Sequence, residues 1–167
     1  MKYSKQVINN TVLRYMSEGM NNDDILDSFL MMKMSNDFNE EYSLGKKAPS
    51  LSDIKKELLE TDVMEEKDYN VKMFGIVNIS VTRLSVKISP TCTLNIENAR
   101  GALQAKLNEK NRTTMSLQTT KAKDVAMWII RQKENYENYL DEWNSVMKAV
   151  SKKTKGNRMS MLAIKAI

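Results

Sequence analysis

Few side chains in this sequence have the types and spacings that catalysis requires. The 167 residues include no His and a single Cys, Cys92. Without an imidazole there is no His general base, no His metal ligand, and no Ser-His-Asp or Cys-His site. One thiol also permits no internal disulfide and no Cys-rich zinc site. Catalysis would have to use carboxylates, Lys, Tyr or a bare thiol.

The remaining candidate groups are weak ones. Cys92 lies between Thr91 and Thr93 in a strand-like segment, which is typical of a buried thiol, and no activating cation is fixed beside it. Neighbouring carboxylates on a helix point about 100° apart and rarely form one metal site. The adjacent pairs are Asp23/Asp24, Glu40/Glu41, Glu65/Glu66 and Asp141/Glu142. We therefore expect no enzyme, no cofactor and no metal.

Charge is divided unevenly between two regions of the chain. Residues 1–70 carry 9 Lys/Arg and 14 Asp/Glu, a net charge of −5, whereas residues 71–167 carry 17 and 7, a net charge of +10. Such asymmetry indicates a polyanion as partner for the basic region, or solvated charge without a partner. We expect an acidic helical region over 1–70 and a basic α+β region over 71–167.

The cations of the second region form two groups along the sequence. No Asp or Glu follows Glu142. If the fold brings both groups to one side, they form a basic face for phosphate contacts, strongly dependent on salt and weakly selective for sequence. The candidate nucleic-acid-binding residues are Lys106, Lys110, Arg112, Lys121, Lys123, Lys148, Lys152, Lys153, Lys155 and Arg158.

The first region has the pattern of helices. Apolar spacing predicts one helix over 5–17 that Gly19 ends, and a second helix capped by Asn21 or Asn22. Residues 36–50 are interpreted as a loop, and Ser50 or Ser52 is expected to cap a helix over 53–60.

The sequence Gly19-Met20-Asn21-x-x-x-Ile25 resembles the turn and second helix of helix-turn-helix DNA-binding domains, over about 20 residues. That resemblance implies a DNA-reading unit. Tyr15 departs from it, because a small residue normally allows the two helices to approach closely. The segment 35–42, in the place of a reading helix, is acidic, and phosphates would repel it. A plain helical hairpin is the favoured interpretation.

The middle of the chain is rich in β-branched residues. Apolar and polar residues alternate from Ile79 onward with a change of phase near 82–84, which predicts one bent strand or two strands over 71–88. Residues 91–96 and 113–117 are predicted as short strands, and 97–108 as a helix with Ala99, Ala102, Leu103 and Leu107 inward. A small antiparallel sheet packed on helices is expected, so the fold class is α+β and mostly helical.

The strongest periodic signal predicts one long amphipathic helix over about 119–150. Apolar residues recur at spacings of three and four over four heptads, from Ala122 to Val150. Trp128 lies beside this stripe and, with Met31 and Met32, is a candidate for contact with a partner protein. Three interpretations are open for the aromatic cluster of Tyr136, Tyr139 and Trp143 on this helix: core, a stacking platform for exposed bases, or a groove for a helix of a partner protein.

Composition adds one further resemblance. Lys outnumbers Arg by 20 to 6, and the chain holds 16 Asn and 13 Met, a style similar to the short proteins of large tailed bacteriophages. The expected function is a non-enzymatic regulator of that type, which binds nucleic acid or the host transcription machinery, such as RNA polymerase, through its basic face. The alternatives are a protein-only inhibitor or adaptor, and a virion assembly component. A single free Cys and no membrane-spanning run favour the cytoplasm.

Overall fold

The computed structural model describes residues 2–61, 75–79, 82–108 and 113–155. Within these residues, four helices and five strands follow one another. The helices are α1 (Lys5–Ser17), α2 (Asn22–Glu41), α3 (Leu51–Leu59) and α4 (Ala122–Lys155). The strands are β1 (Gly75–Ile79), β2 (Arg83–Ser89), β3 (Cys92–Ala99), β4 (Ala102–Leu107) and β5 (Met115–Ser116). The fold is α+β and mainly helical, as the sequence predicts.

Helices α1 and α2 form the predicted hairpin. The Ser4 hydroxyl caps α1 by accepting a hydrogen bond from the Val7 amide, and the Asn21 side chain caps α2 in the same way from Asp23. Gly19 turns the chain with a φ of 76°, a left-handed conformation that glycine adopts without strain. These local signals position the two helices side by side.

Helix α2 is longer than the sequence predicts and occupies the centre of the helical layer. The prediction of a loop over 36–50 is wrong for residues 36–41, because α2 continues to Glu41 and buries Phe38 on the way. It is confirmed for residues 42–50, which form no helix or strand. The helix-turn-helix resemblance is not realised, since residues 35–41 belong to α2 and supply no third, separate helix. Its apolar side chains surround the helix axis, which is typical of a helix covered on several sides.

The third helix follows the predicted capping. Ser50 accepts a hydrogen bond from the Asp53 amide, and Leu51, Ile54 and Leu58 are buried. Helix α3 contacts α4 and the first two strands. It therefore fixes one side of α4 relative to the sheet.

The five strands form an antiparallel meander in the order β1-β2-β3-β4-β5. The phase change near residue 82 separates β1 from β2, so the interpretation as two strands is confirmed. The prediction of a helix over 97–108 is wrong. Arg100 and Gly101, with φ of 55° and 78°, form a tight turn between β3 and β4, and Ala99 pairs with Ala102 across it. Alternation of buried Leu103, Ala105 and Leu107 then marks a strand.

One face of the sheet is apolar and faces the helices. It carries Leu84, Val86, Leu94, Ile96 and Leu107, all with at most 1% exposure. Polar contacts at its margin join the sheet to α2: the Asn108 amide donates to the Asp27 carboxylate at 3.2 Å, and the Thr113 hydroxyl donates to Ser28 at 2.8 Å. Helices and strands thus share one hydrophobic core.

Helix α4 matches the long amphipathic helix that the heptad spacing predicts. Its 34 residues extend over roughly 51 Å at 1.5 Å per residue. It contacts α2, α3 and β2. No helix among the described residues has both the length and the apolar character needed to cross a membrane. The predicted boundary at residue 70 lies outside the described residues.

Candidate functional site

The candidate cations that the structure describes lie in different places. Lys106 is on β4, where its side chain is 16% exposed and its ammonium lies 3.1 Å from the Glu97 carboxylate. Lys121 and Lys123 are exposed at the beginning of α4, and Lys148 is exposed toward its end. Positions 152, 153 and 155 belong to the last turns of α4. Lys110, Arg112 and Arg158 lie outside the described residues.

The described cations do not form one continuous basic face. Lys123 and Lys148 lie on the same side of α4, but roughly 37 Å apart along its axis. The exposed charged residues between them on that side are acidic, namely Glu134, Glu137 and Asp141. The expectation of a single face is therefore wrong for the part of the chain that is described, where the cations form two groups. Their role in binding nucleic acid stays a prediction.

The three candidate partner contacts are buried instead of exposed. Trp128 has no exposed surface, donates its indole N–H to the Met34 carbonyl at 3.0 Å, and packs edge-on against Phe38. Met31 and Met32 are 1% and 2% exposed on the central helix. The prediction of an exposed patch is wrong for these residues, because α2 is enclosed between α4 and other elements. They stabilise the core.

A polar cluster that the sequence did not reveal joins α2 to α4 beside Trp128. The Asp37 carboxylate accepts hydrogen bonds from the Arg131 guanidinium at 2.8 Å and from the Gln132 amide at 2.5 Å. Gln132 is fully buried, and its amide oxygen accepts from the Tyr139 hydroxyl at 3.1 Å. The one available signal was Gln132, a polar residue on the apolar stripe. We call these four residues the Asp37 cluster.

An open groove borders this cluster at Asp37 and Tyr139 and lies between α1 and α4 above α2. We call it the α1–α4 groove. Its volume is about 840 Å³. Its apolar lining consists of Ile8, Leu13, Phe29, Tyr139, Val146, Ala149 and Val150, and its amides come from Asn9, Asn36, Asn135 and Asn138. The groove exists because α1 packs on α2 while α4 diverges from α1.

The charges that line the groove are balanced in pairs. The Lys33 ammonium lies 2.6 Å from the Glu142 carboxylate, and this pair joins α2 to α4. At the amino end of α1, the Lys2 ammonium lies 2.5 Å from Glu40, which lowers the pKa of that carboxyl. Lys5 and Asp37 also line the groove, so three cations and three carboxylates cancel in formal charge, and the groove attracts neither a polyanion nor a polycation strongly.

The beginning of α1 is held to α2 by backbone contacts. The Tyr3 amide donates to the Asn36 side-chain oxygen at 2.6 Å, and the Asn36 amide donates back to the Tyr3 carbonyl at 2.7 Å. This pair mimics the hydrogen bonding of adjacent strands. It fixes the amino end of the groove before any ligand binds.

Two buried titratable groups keep their protons near neutral pH: Tyr139, which lines the groove, and Cys92, which lies apart from it on β3. Burial raises the pKa of Tyr139 to about 12, so its hydroxyl remains protonated near neutral pH. Burial also raises the pKa of the Cys92 thiol to about 12, which leaves no thiolate for nucleophilic attack. Within the described residues, no three Cys, Asp or Glu side chains are placed to hold a metal ion. The arrangement offers apolar surface and amides.

Comparison of the chain with protein-family models, with curated proteins and with solved structures found no match. The function must therefore be argued from the groove and from the two groups of cations.

Proposed function

We propose that the protein is a non-enzymatic regulator that binds a segment of a partner protein in the α1–α4 groove, as an inhibitor or adaptor does. The observation that carries this proposal is the composition of the groove: an open volume of about 840 Å³ with an apolar floor, several side-chain amides and mutually neutralised charges. Grooves formed by helices commonly accept a helical or extended segment with apolar anchors.

The two sides of the groove supply different parts of such recognition. Leu13 on α1 is 37% exposed and offers an apolar contact. Asn138, exposed on α4, offers a hydrogen-bond donor and an acceptor to a peptide backbone. The expected partner segment carries apolar side chains and few charges, because the groove has no net charge to match.

Selection of binders from a displayed library of random peptides tests this function. The selected peptides should lose at least about tenfold in affinity for the Leu13→Glu variant, since a carboxylate would be desolvated in the groove. Met127→Glu is the matched control, because Met127 is similarly exposed but lies near the other end of α4. Peptides that bind both variants as tightly as the parent protein would place recognition elsewhere.

Nucleic acid is a second candidate partner, and one feature of α4 favours it. The helix continues to Lys155, so positions 148, 152 and 155 fall within about 60° of one another around its axis. The absence of Asp and Glu after Glu142 leaves this end of the sequence positively charged. Phosphate contacts at the carboxyl end of α4 are therefore proposed as the alternative, and would not require the single basic face.

Anisotropy measurements with duplex DNA, single-stranded DNA and RNA across a salt series test the alternative. Replacing Lys148 and Lys152 with Ala should reduce the slope of log affinity against log salt by about 2. Replacing Lys121 and Lys123 with Ala removes the same charge from the beginning of α4 and serves as the control. Absence of binding at low salt would eliminate this candidate.

The proposed setting follows from composition. A reducing cytoplasm suits a single Cys that remains a buried thiol. The similarity in style to bacteriophage proteins favours a host protein as partner, and RNA polymerase is one possibility that the peptide selection would help to recognise. Assembly into a virion would instead produce a large symmetric oligomer in light scattering.

A further inference from the structure

The two ends of the α1–α4 groove have different linings. Helices α1 and α4 both run antiparallel to α2, because the hairpin reverses the chain at Gly19 and because α4 contacts Asp37 before it contacts Phe29. The beginning of α1 therefore lies at the end of the groove where the lining is polar and includes Lys5, Asn36, Asn135 and Asn138. At the opposite end the lining is mainly apolar, with Leu13, Phe29, Val146, Ala149 and Val150.

Lys5 is the charged side chain of this lining that has no partner among the described residues. It is exposed and makes no hydrogen bond or ion pair through its side chain. The two ion pairs described above engage four of the other lining charges. Asp37 is held by Arg131, which lies outside the lining. The formal charges of the lining cancel, but its contacts leave one cation that a carboxylate from another molecule can approach.

The walls of the groove have the spacing of a helix-packing surface. Along α4 the lining residues Asn135, Asn138, Glu142, Ser145 and Ala149 are separated alternately by three and four positions. Both α1 and α4 pack on α2, so the groove has the position of a fourth helix in a bundle. From Asn135 to Val150 the lining extends over roughly 22 Å, which a helix of about 15 residues would cover.

An extended segment would be satisfied less well in this groove. Each of its backbone amides and carbonyls needs a hydrogen-bond partner from the lining or from water, whereas a helix bonds its own backbone. Among the described residues, Asn9 and Asn138 are lining amides without a side-chain hydrogen bond, while Asn36 is already bonded to the Tyr3 backbone. Two open amides suit polar side chains of a helix better than they suit a whole extended backbone.

We propose that the partner segment is an amphipathic helix that lies beside α1, α2 and α4 as the fourth member of a bundle. It places one carboxylate opposite Lys5 and an apolar side chain at the Leu13 end. Lys5 and Leu13 are eight residues apart on α1, roughly 12 Å, so these two partner side chains are about eight residues apart on one helical face. The proposal rests on the function proposed above and adds the conformation and the charge of the partner.

Selection from two displayed peptide libraries tests the conformation. The first has an alanine-rich helical host of about 15 residues with randomised positions on one face, and the second is identical except for Pro at its centre. Binders should come from the first library, with Asp or Glu enriched about eight positions from a large apolar residue. Equal recovery from both libraries would overturn the helix but leave groove binding intact. Absence of binders from both would overturn the proposed function as well.

A charge exchange tests the placement of the carboxylate. Lys5→Glu should weaken a selected acidic peptide about fivefold, and replacing the peptide's carboxylate by Lys should recover that loss on the variant. Glu suits the first turn of a helix, so the variant retains α1. Lys123→Glu is the matched control, since Lys123 is also exposed, lies in the first turn of α4 outside the groove, and makes no side-chain contact with a described residue.

Equal losses in Lys5→Glu and Lys123→Glu, or no recovery with the exchanged peptide, would overturn the placement. Binding that still falls in Leu13→Glu would then keep the groove as the site of the proposed function. Analytical ultracentrifugation of the protein alone addresses a second copy as occupant. A monomer is expected, whereas self-association that Leu13→Glu abolishes would overturn the partner helix.

Discussion

The two halves of α4 share one heptad pattern but have different surroundings. In the first half, Val125, Ala126, Trp128 and Ile129 are at most 2% exposed. In the second half, the equivalent stripe residues Leu140, Trp143, Val146 and Met147 are only partly buried. Regular spacing therefore specifies the helix and its apolar side, whereas the extent of burial depends on what packs against that side.

The difference arises from how α4 crosses the central helix. Its first half faces the carboxyl half of α2, where Trp128 contacts Met34 and Phe38. Its second half meets the amino half of α2, where Trp143 packs against Phe29 at 5.3 Å between ring centroids. Other residues of this second half of α4, among them Val146 and Val150, line the α1–α4 groove. One helix thus serves as core at one end and as a binding surface at the other.

The two tryptophans should show the largest contrast in stability. Trp128→Ala should lower the free energy of unfolding by about 3–5 kcal/mol, because it opens a cavity and leaves the Met34 carbonyl without its donor. Trp143→Ala should cost about 1.5 kcal/mol, because the side chain is already partly hydrated. Urea unfolding followed by circular dichroism measures both. Equal losses would show that the second half of α4 is as enclosed as the first.

The Asp37 cluster should give the next largest effect. Asp37→Asn removes the charge that faces Arg131 and offers Gln132 a poorer acceptor, in a site where the ionic side chains are only 20–28% exposed. We expect a loss of about 2 kcal/mol, smaller than for a fully buried pair because solvent reaches part of the site.

The matched control for that substitution is Glu40→Gln in the groove. Glu40 pairs with Lys2 at the surface, so its replacement should leave the unfolding midpoint unchanged. A midpoint shift as large as that of Asp37→Asn would contradict the distinction between the two sites.

Much of this fold follows from local signals in the sequence. Apolar spacing predicts the first helix, the candidate caps Asn21 and Ser50 predict the beginnings of the next two, and the heptads predict the long helix. The error over 97–108 came from a four-residue apolar spacing that also fits a strand once Arg100-Gly101 makes a turn. Local spacing alone could not distinguish a helix from a strand here, because the strand is stabilised by the pairing of β4 with β3, which local spacing does not specify.

The candidate site was less predictable than the fold. Trp128 and Met31 looked like surface anchors, yet their burial depends on the crossing of α2 and α4, which no local pattern specifies. The α1–α4 groove has no sequence signature, since its lining comes from three separated helices. Charge counts predicted basic regions but not the Glu134, Glu137 and Asp141 side chains that separate them along α4.

Alkaline pH should lower the free energy of unfolding in two stages, first through ionisation of Cys92 and then through ionisation of Tyr139. Burial raises the pKa of Cys92 from 9.0 to about 12 and that of Tyr139 from 10.0 to about 12. Above pH 9 the unfolded chain loses the Cys92 proton while the folded chain retains it. The free energy of unfolding should then fall by about 1.4 kcal/mol per pH unit, and more steeply above pH 10 when Tyr139 contributes as well.

Urea unfolding between pH 8 and pH 11 in the parent protein and in Cys92→Ala checks this dependence. The variant should hold a constant stability until about pH 10, because it lacks the earlier titration. Identical pH curves for the two proteins would mean that the thiol ionises as readily in the folded state as in the unfolded one.

The smallest effect provides the most direct comparison between the halves of α4. Two ion pairs connect α2 with α4, Arg131–Asp37 in the enclosed half and Lys33–Glu142 beside the groove. The Glu142 side chain is 50% exposed, so a double-mutant cycle with Lys33→Met and Glu142→Gln should yield a coupling of about 0.5 kcal/mol or less, which high salt removes. The cycle with Arg131→Met and Asp37→Asn should yield about 1.5 kcal/mol and respond less to salt, because protein replaces part of the solvent around it. Since the two pairs join the same helices, unequal coupling reports unequal access of water. Equal couplings with equal salt dependence would mean that water reaches the two ion pairs to the same extent.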